Sequence, residues 1–83
     1  MTPTIKLGIY EHYKGFRYEV IGLAHHTETK SPMVLYKALY KVPDLEKIYG
    51  EEVTFTRPYE MFMESITINN ESIPRFRYIG TND

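Results

Sequence analysis

The sequence predicts a small all-β domain, a partly open barrel of the SH3-like kind with about five strands and one short helical turn. Three observations carry that expectation. Short runs of apolar and polar residues alternate with a period of two between Gly, Pro and Asn punctuation, which is the pattern of half-buried strands. The apolar bulk is aromatic, with eight tyrosines, four phenylalanines and no tryptophan, and such side chains suit a pleated sheet better than a helix bundle. A chain of 83 residues without a cysteine has room for one domain held by packing alone, with no disulfide and no thiolate zinc site.

Leu7 to Tyr13 alternates, with Leu7, Ile9 and Tyr13 on one parity, and forms the first strand. Tyr13-Lys14-Gly15 makes a polar hairpin tip, where Gly15 supplies the positive φ of a tight turn. Phe16 to Ala24 returns as the second strand. Phe16, Tyr18 and Val20 share one face and Arg17 and Glu19 the other, until Ile21 and Leu23 make both faces apolar. Thr27 to Pro32 is a polar loop with His25, His26 and Glu28 at its rim. Met33 to Val42 fits either period; its tyrosine and β-branched content, bounded by Pro32 and Pro43, favours a strand. Pro43 to Glu52 is a connection of one or two helical turns capped by Asp44 and stopped by Gly50. Val53 to Thr56 is a strand stopped by Arg57-Pro58, after which Pro58 opens a helical turn through Tyr59, Met61 and Phe62. Ser65 to Ile68 and Ile73 to Ile79 flank Asn69-Asn70-Glu71-Ser72 and form a second hairpin that closes the sheet. Residues 1–6 and 80–83 read as loose tails on a single domain spanning residues 1–83.

Ten Lys and Arg against eleven Asp and Glu leave a net charge of -1, unlike the broad positive field of sequence-independent DNA binders. The N-terminal stretch lacks the long apolar run of a signal peptide or membrane span. A cytoplasmic address without membrane contact is the expectation. Asp44, Glu46, Glu51 and Glu52 form a solvated acidic segment.

Taken together, GIYEHYKGFRYEV, AHHTET, LYKALY, RPYEMFMESI and IPRFRYI resemble a family of short bacterial proteins known as domain of unknown function 1653. The resemblance runs from Gly8 to about Ile79. It implies a small cytoplasmic protein without an established activity. It also marks His12, Tyr13, Lys14 and Gly15 in the first turn, His26, Glu28 and Thr29 at the strand rim, Tyr36, Tyr40, Arg57, Pro58, Phe62, Arg75 and Phe76. One departure concerns the residues before Arg-Pro: the family carries tryptophan and an aliphatic residue there, and this chain has Phe55 and Thr56.

Two constellations bear chemistry. His26 and Glu28 lie two apart on one strand and point the same way, so they could form an oriented general base, or a metal site with His12 as a third ligand. The bland alternative is a hydrogen bond at the strand rim, and no metal or cofactor is assigned. The second gathers Tyr10, Tyr13, Lys14, Tyr36, Phe55, Arg57, Arg75 and Arg77, aromatics interleaved with cations, a surface able to stack flat groups and grip an anion. Arg57 stands out, because the proline after it fixes an extended backbone and so the direction of its side chain. Tyr59, Met61, Phe62 and Met63 read as a core plug.

The leading reading is a non-catalytic binding module. Its candidate residues are His12, Tyr13, Lys14, His26, Glu28, Tyr36, Arg57 and Arg75. Its partner is an anionic small molecule, a peptide, or the exposed bases of single-stranded nucleic acid. A small hydrolase or metal-dependent enzyme using His26 and Glu28 is one alternative, and a subunit of a homo-oligomer is the other.

Overall fold

The computed structural model describes residues 3–50 and 52–81. Glu51 of the acidic segment, and positions 1, 2, 82 and 83 of the expected tails, lie outside the described residues. The strands are β1 (Gly8–His12), β2 (Arg17–His25), β3 (Pro32–Ala38), β4 (Thr54–Pro58), β5 (Ser65–Ile68), β6 (Glu71–Pro74) and β7 (Phe76–Gly80), with helices α1 (Pro43–Tyr49) and α2 (Tyr59–Phe62). An antiparallel sheet runs in the order β4-β3-β2-β1-β7, and β5-β6 form a separate hairpin. The all-β expectation holds. The five-stranded sheet is not closed into a barrel, since β4 and β7 both remain edges.

The sheet is bowed, and the sequence of β2 supplies one cause. Its register against β3 shifts between Val20 and Gly22, so Ile21 is the extra residue of a bulge, which bends a strand and raises its twist. The bulge also resets parity. Tyr18 and Val20 face inward before it, and Leu23 joins the core after it, opposite Val34. Ile21 and Leu23, which share a parity in the sequence, are thereby parted, and Ile21 is left exposed.

The inner face holds the core. Val20, Val34 and Phe62 are fully buried, with Tyr10, Tyr36 and Phe76 around them. Phe62, delivered by α2, stacks flat on Phe76 at 4.1 Å between centroids and 6° between planes. It meets Tyr10 edge-on at 5.4 Å. Of the expected plug, Phe62 alone is buried; Tyr59 packs against it, and a turn this short leaves Met61 and Met63 exposed. The Tyr59 and Tyr10 hydroxyls donate to the carbonyls of Thr4 and Lys6, holding the segment before β1 against the sheet.

Several boundaries differ from expectation, each for a local reason. β3 ends at Ala38; Leu39 still donates its N–H to the Arg17 carbonyl of β2, and Tyr40 to Val42 leave the sheet. β4 continues through Arg57 and Pro58, which an edge strand tolerates because the proline need not donate. At α1 the Glu46 carboxylate, not Asp44, accepts the Val42 N–H at 2.7 Å. The turn after β5 is two residues, Asn69 and Asn70 at φ 52° and 67°, the left-handed pair a tight hairpin needs. The last expected strand breaks at Arg75 into β6 and β7. It is β7, pairing with β1, that extends the sheet, while the β5-β6 hairpin stands apart.

Candidate functional site

The outer face of the sheet is polar and internally matched. Glu11 accepts from Arg77 at 2.8 Å and from Arg17 at 3.4 Å, and Lys37 pairs with Glu19 at 3.3 Å. The two arginines hold the Glu11 carboxyl below the usual carboxylate range, Arg77 foremost. Arg77, a candidate cation in the sequence, is therefore committed on the wrong face. Arg75 is also engaged, its Nη2 at 2.5 Å from the Glu64 carboxylate, while its buried Nε has no partner among the described residues.

The inner face is different at its rim. Phe16 and Tyr40 (4.9 Å), Tyr40 and Tyr18 (5.4 Å), Tyr18 and Phe76 (5.7 Å), Phe76 and His12 (4.9 Å), and His12 and Tyr13 (4.4 Å) form an unbroken path of rings. Its outer members are open to solvent: Phe16 is 50% exposed, Tyr13 38% and Tyr40 36%. Bowing brings the edge strands to this path. Arg57 of β4 lies with its guanidinium carbon 5.5 Å from the centre of the Phe76 ring of β7, and Phe55 is 6.3 Å from Tyr18. Arg57 makes no hydrogen bond or ion pair among the described residues. A guanidinium half-buried on aromatic faces keeps its five donors available to an incoming group.

The charges on this face register on its neighbours. His12 is held below the ordinary histidine pKa, first by burial and then by Arg57, Arg75 and Lys14. Its Nδ1 accepts the Lys14 N–H at 3.2 Å, so the neutral ring carries its proton on Nε2. Burial, then a 2.8 Å hydrogen bond with the Tyr40 hydroxyl, pushes the Tyr18 phenol well up, so it stays neutral. The face thus presents fixed cations, neutral donors and flat rings, a combination suited to holding a flat anionic group.

Of the sequence-derived candidates, His12, Tyr13, Lys14 and Arg57 come together here, with Arg75 beside them. Tyr36 is 5% exposed and belongs to the core under them, as does Tyr10. His26 and Glu28 lie elsewhere. β2 runs from the first turn to His25, so its residues at ~3.3 Å each separate His26 from His12 by roughly 25–30 Å. A shared metal site is impossible at that separation, and no group of three His, Asp or Glu is placed to hold a metal among the described residues. Nor does the Glu28 carboxylate orient the ring: His26 Nδ1 accepts the backbone N–H of Glu28 at 3.1 Å and of Thr29 at 3.3 Å. The ring ties the turn, beside an open concavity of about 410 Å³ lined by His25, Met33, Leu35 and Thr56. Tyr18 and Phe16 were missing from the candidates, although their shared parity with Val20 was visible. The approach of Tyr18 to Arg57 depends on the bend of the sheet.

No helix among the described residues is long and apolar enough to cross a membrane. No curated protein matches the sequence. A crystal structure of a DUF1653 protein from Bordetella bronchiseptica has a similar fold, with a TM-score of 0.78 and 32% identity over 93% of this chain and 90% of that one. The family model described as protein of unknown function (DUF1653) matches residues 8–78, and the chain belongs to that family.

Proposed function

We propose that the chain is a small binding module that takes an anionic ligand on the rim of its aromatic inner face, with Arg57 as the gripping cation. The observation that carries this reading is Arg57 itself. Its guanidinium lies on Phe76 with no carboxylate among the described residues, whereas Arg75 and Arg77 each have one. A half-buried cation left unmatched in a face otherwise built for packing costs stability unless a ligand completes it. His12, Tyr13 and Lys14 flank the site, and His26 and Glu28 fall outside it. In the same reading the chain is one domain of a bacterial cytoplasmic protein, its sheet curled in the SH3-like manner. The bacterial source of a structural neighbour supports the bacterial origin.

The test is a titration of 15N-labelled protein with pyrophosphate, benzoate and a short single-stranded oligonucleotide, followed by NMR. A ligand of this site moves the Arg57, Tyr18 and His12 signals, and Arg57→Ala abolishes the response while Tm stays within a few degrees. Signals moving instead around His26, or an Arg57→Ala protein that binds as well as the parent, would place the site elsewhere.

A further inference from the structure

The ring path and the charge count on the inner face narrow the ligand class, on the reading that Arg57 marks the site. Two permanent cations there are unmatched by carboxylates among the described residues, Arg57 and Lys14. Both act on His12. Arg75, the third cation near His12, is neutralised by Glu64. His12 is held neutral, because its Nδ1 already accepts the Lys14 N–H; protonation would set an N–H against that donor. What His12 offers is its Nε2–H, which makes no hydrogen bond among the described residues. Two positive charges and one neutral donor complement a phosphate monoester, close to doubly negative at neutral pH and rich in acceptor oxygens. A carboxylate or an internal phosphodiester, with a single charge, leaves one cation unmatched.

Beside this anion position the rings continue. Tyr18, Tyr40 and Phe16 lead away from Phe76 and become steadily more exposed along the path. An exposed ring face such as that of Tyr40 stacks flat groups with little regard to their identity. We infer that the site takes a nucleotide carrying a terminal phosphate monoester. Arg57 and the His12 Nε2–H hold the phosphate, Lys14 balances its second charge, and the base lies on the exposed ring of Tyr40, which Tyr18 meets edge-on. The nucleotide is either free or the 5′-phosphorylated end of a single strand.

Binding of 5′-AMP, adenosine, inorganic phosphate and the dinucleoside phosphodiester ApA, followed by NMR at about pH 7.5 and low salt, tests this. 5′-AMP should bind at least about tenfold more tightly than each of the other three. Arg57→Gln should weaken AMP by about tenfold or more. His12→Asn, whose amide oxygen can still accept the Lys14 N–H, should weaken it several-fold with Tm unchanged at that pH. Replacing Tyr40 by Ala should weaken AMP and leave inorganic phosphate unaffected. A 5′-phosphorylated trinucleotide that binds better than AMP identifies a strand end as the ligand, and one that binds worse identifies the free nucleotide. Adenosine equal to AMP, phosphate equal to AMP, or ApA equal to AMP would each overturn the assignment. Arg57-dependent binding of benzoate or pyrophosphate, without a preference for AMP, would overturn the nucleotide while leaving the anion site standing. AMP binding insensitive to Arg57→Gln would remove both.

Discussion

Histidines at the ends of β1 and β2 do the same local work. His12 and His26 each turn Nδ1 toward the backbone N–H two residues on, at 3.2 and 3.1 Å, as Asn and Asp do in turns. Their surroundings separate them. Burial of His12 against Phe76, and then the charges of Arg57, Arg75 and Lys14, lower its pKa from the ordinary 6.5. Below that value the unfolded chain takes up a proton that the folded chain resists. The stability associated with neutral His12 is therefore complete above about pH 6.5 and is lost as pH falls through the depressed folded value. The groups around the ring are Lys14, Arg57 and Arg75, with Glu64 on Arg75. Tm measured from about pH 7.5 to 5 should fall less in His12→Asn than in the parent. Parallel curves for the two proteins would contradict the account. The pairing of His12 with Lys14 is local and could be read from the spacing. That Arg57 bears on His12 is a long-range fact, and no motif announces it.

At the scale of elements, β1 ties β7 to the rest of the sheet, because it pairs with both β2 and β7. Its first residue, Gly8, sits at φ +137°, and a Cβ there would fall 2.6 Å from the Gly80 carbonyl oxygen. Both the conformation and the contact exclude a side chain. Gly8→Ala should lower unfolding free energy by about 1–3 kcal/mol in a denaturant titration. A loss under about 0.5 kcal/mol would mean that β1 and β7 can part there at little cost. Phe62→Ala tests the cover of the bowl in the same way. It deletes a ring that is 1% exposed and stacked on Phe76, and it should cost about 3–5 kcal/mol. If Phe76 then shifts, the seat of Arg57 shifts with it, so this variant should also weaken anion binding. The first hairpin and β5 were legible because alternation and turn residues are local signals. The bulge at Ile21, the break at Arg75 and the pairing of β7 with β1 were not. Each is settled by partners distant in the chain: β3 across from Ile21, Glu64 beside Arg75, and Gly80 against Gly8.

Across the whole molecule, burial is unevenly distributed, and the proposed site lies along the boundary. The inner face of β1, β2, β3 and β7 carries the aromatic core under the cover of Phe62. α1 buries no residue, and its Ile48 and Tyr49 are 69% and 74% exposed. Its seven residues are fewer than an isolated helix needs in water, so packing alone could hold it, and little packing is present. The segment therefore opens at low free energy while the sheet stays intact. This has a consequence for binding, because Glu46 of α1 and Tyr40 of the ring path line a common concavity of about 260 Å³. In the proposed site Arg57, Phe76, Tyr18 and His12 lie on strands of the sheet and Tyr40 does not; on this account the part next to α1 adjusts to what is bound. Native-state hydrogen exchange should find α1 amides exchanging by local opening, and those of β1 and β2 only near the global unfolding free energy. Replacing residues 43–49 with a Gly-Ser linker should cost under about 1 kcal/mol, against the larger losses expected from Gly8→Ala and Phe62→Ala. Should α1 instead exchange only with global unfolding, the helix is part of the cooperative unit and Tyr40 sits on a fixed wall. In that case ligands differing in the size of their flat ring should be discriminated sharply, where a yielding wall accepts them alike.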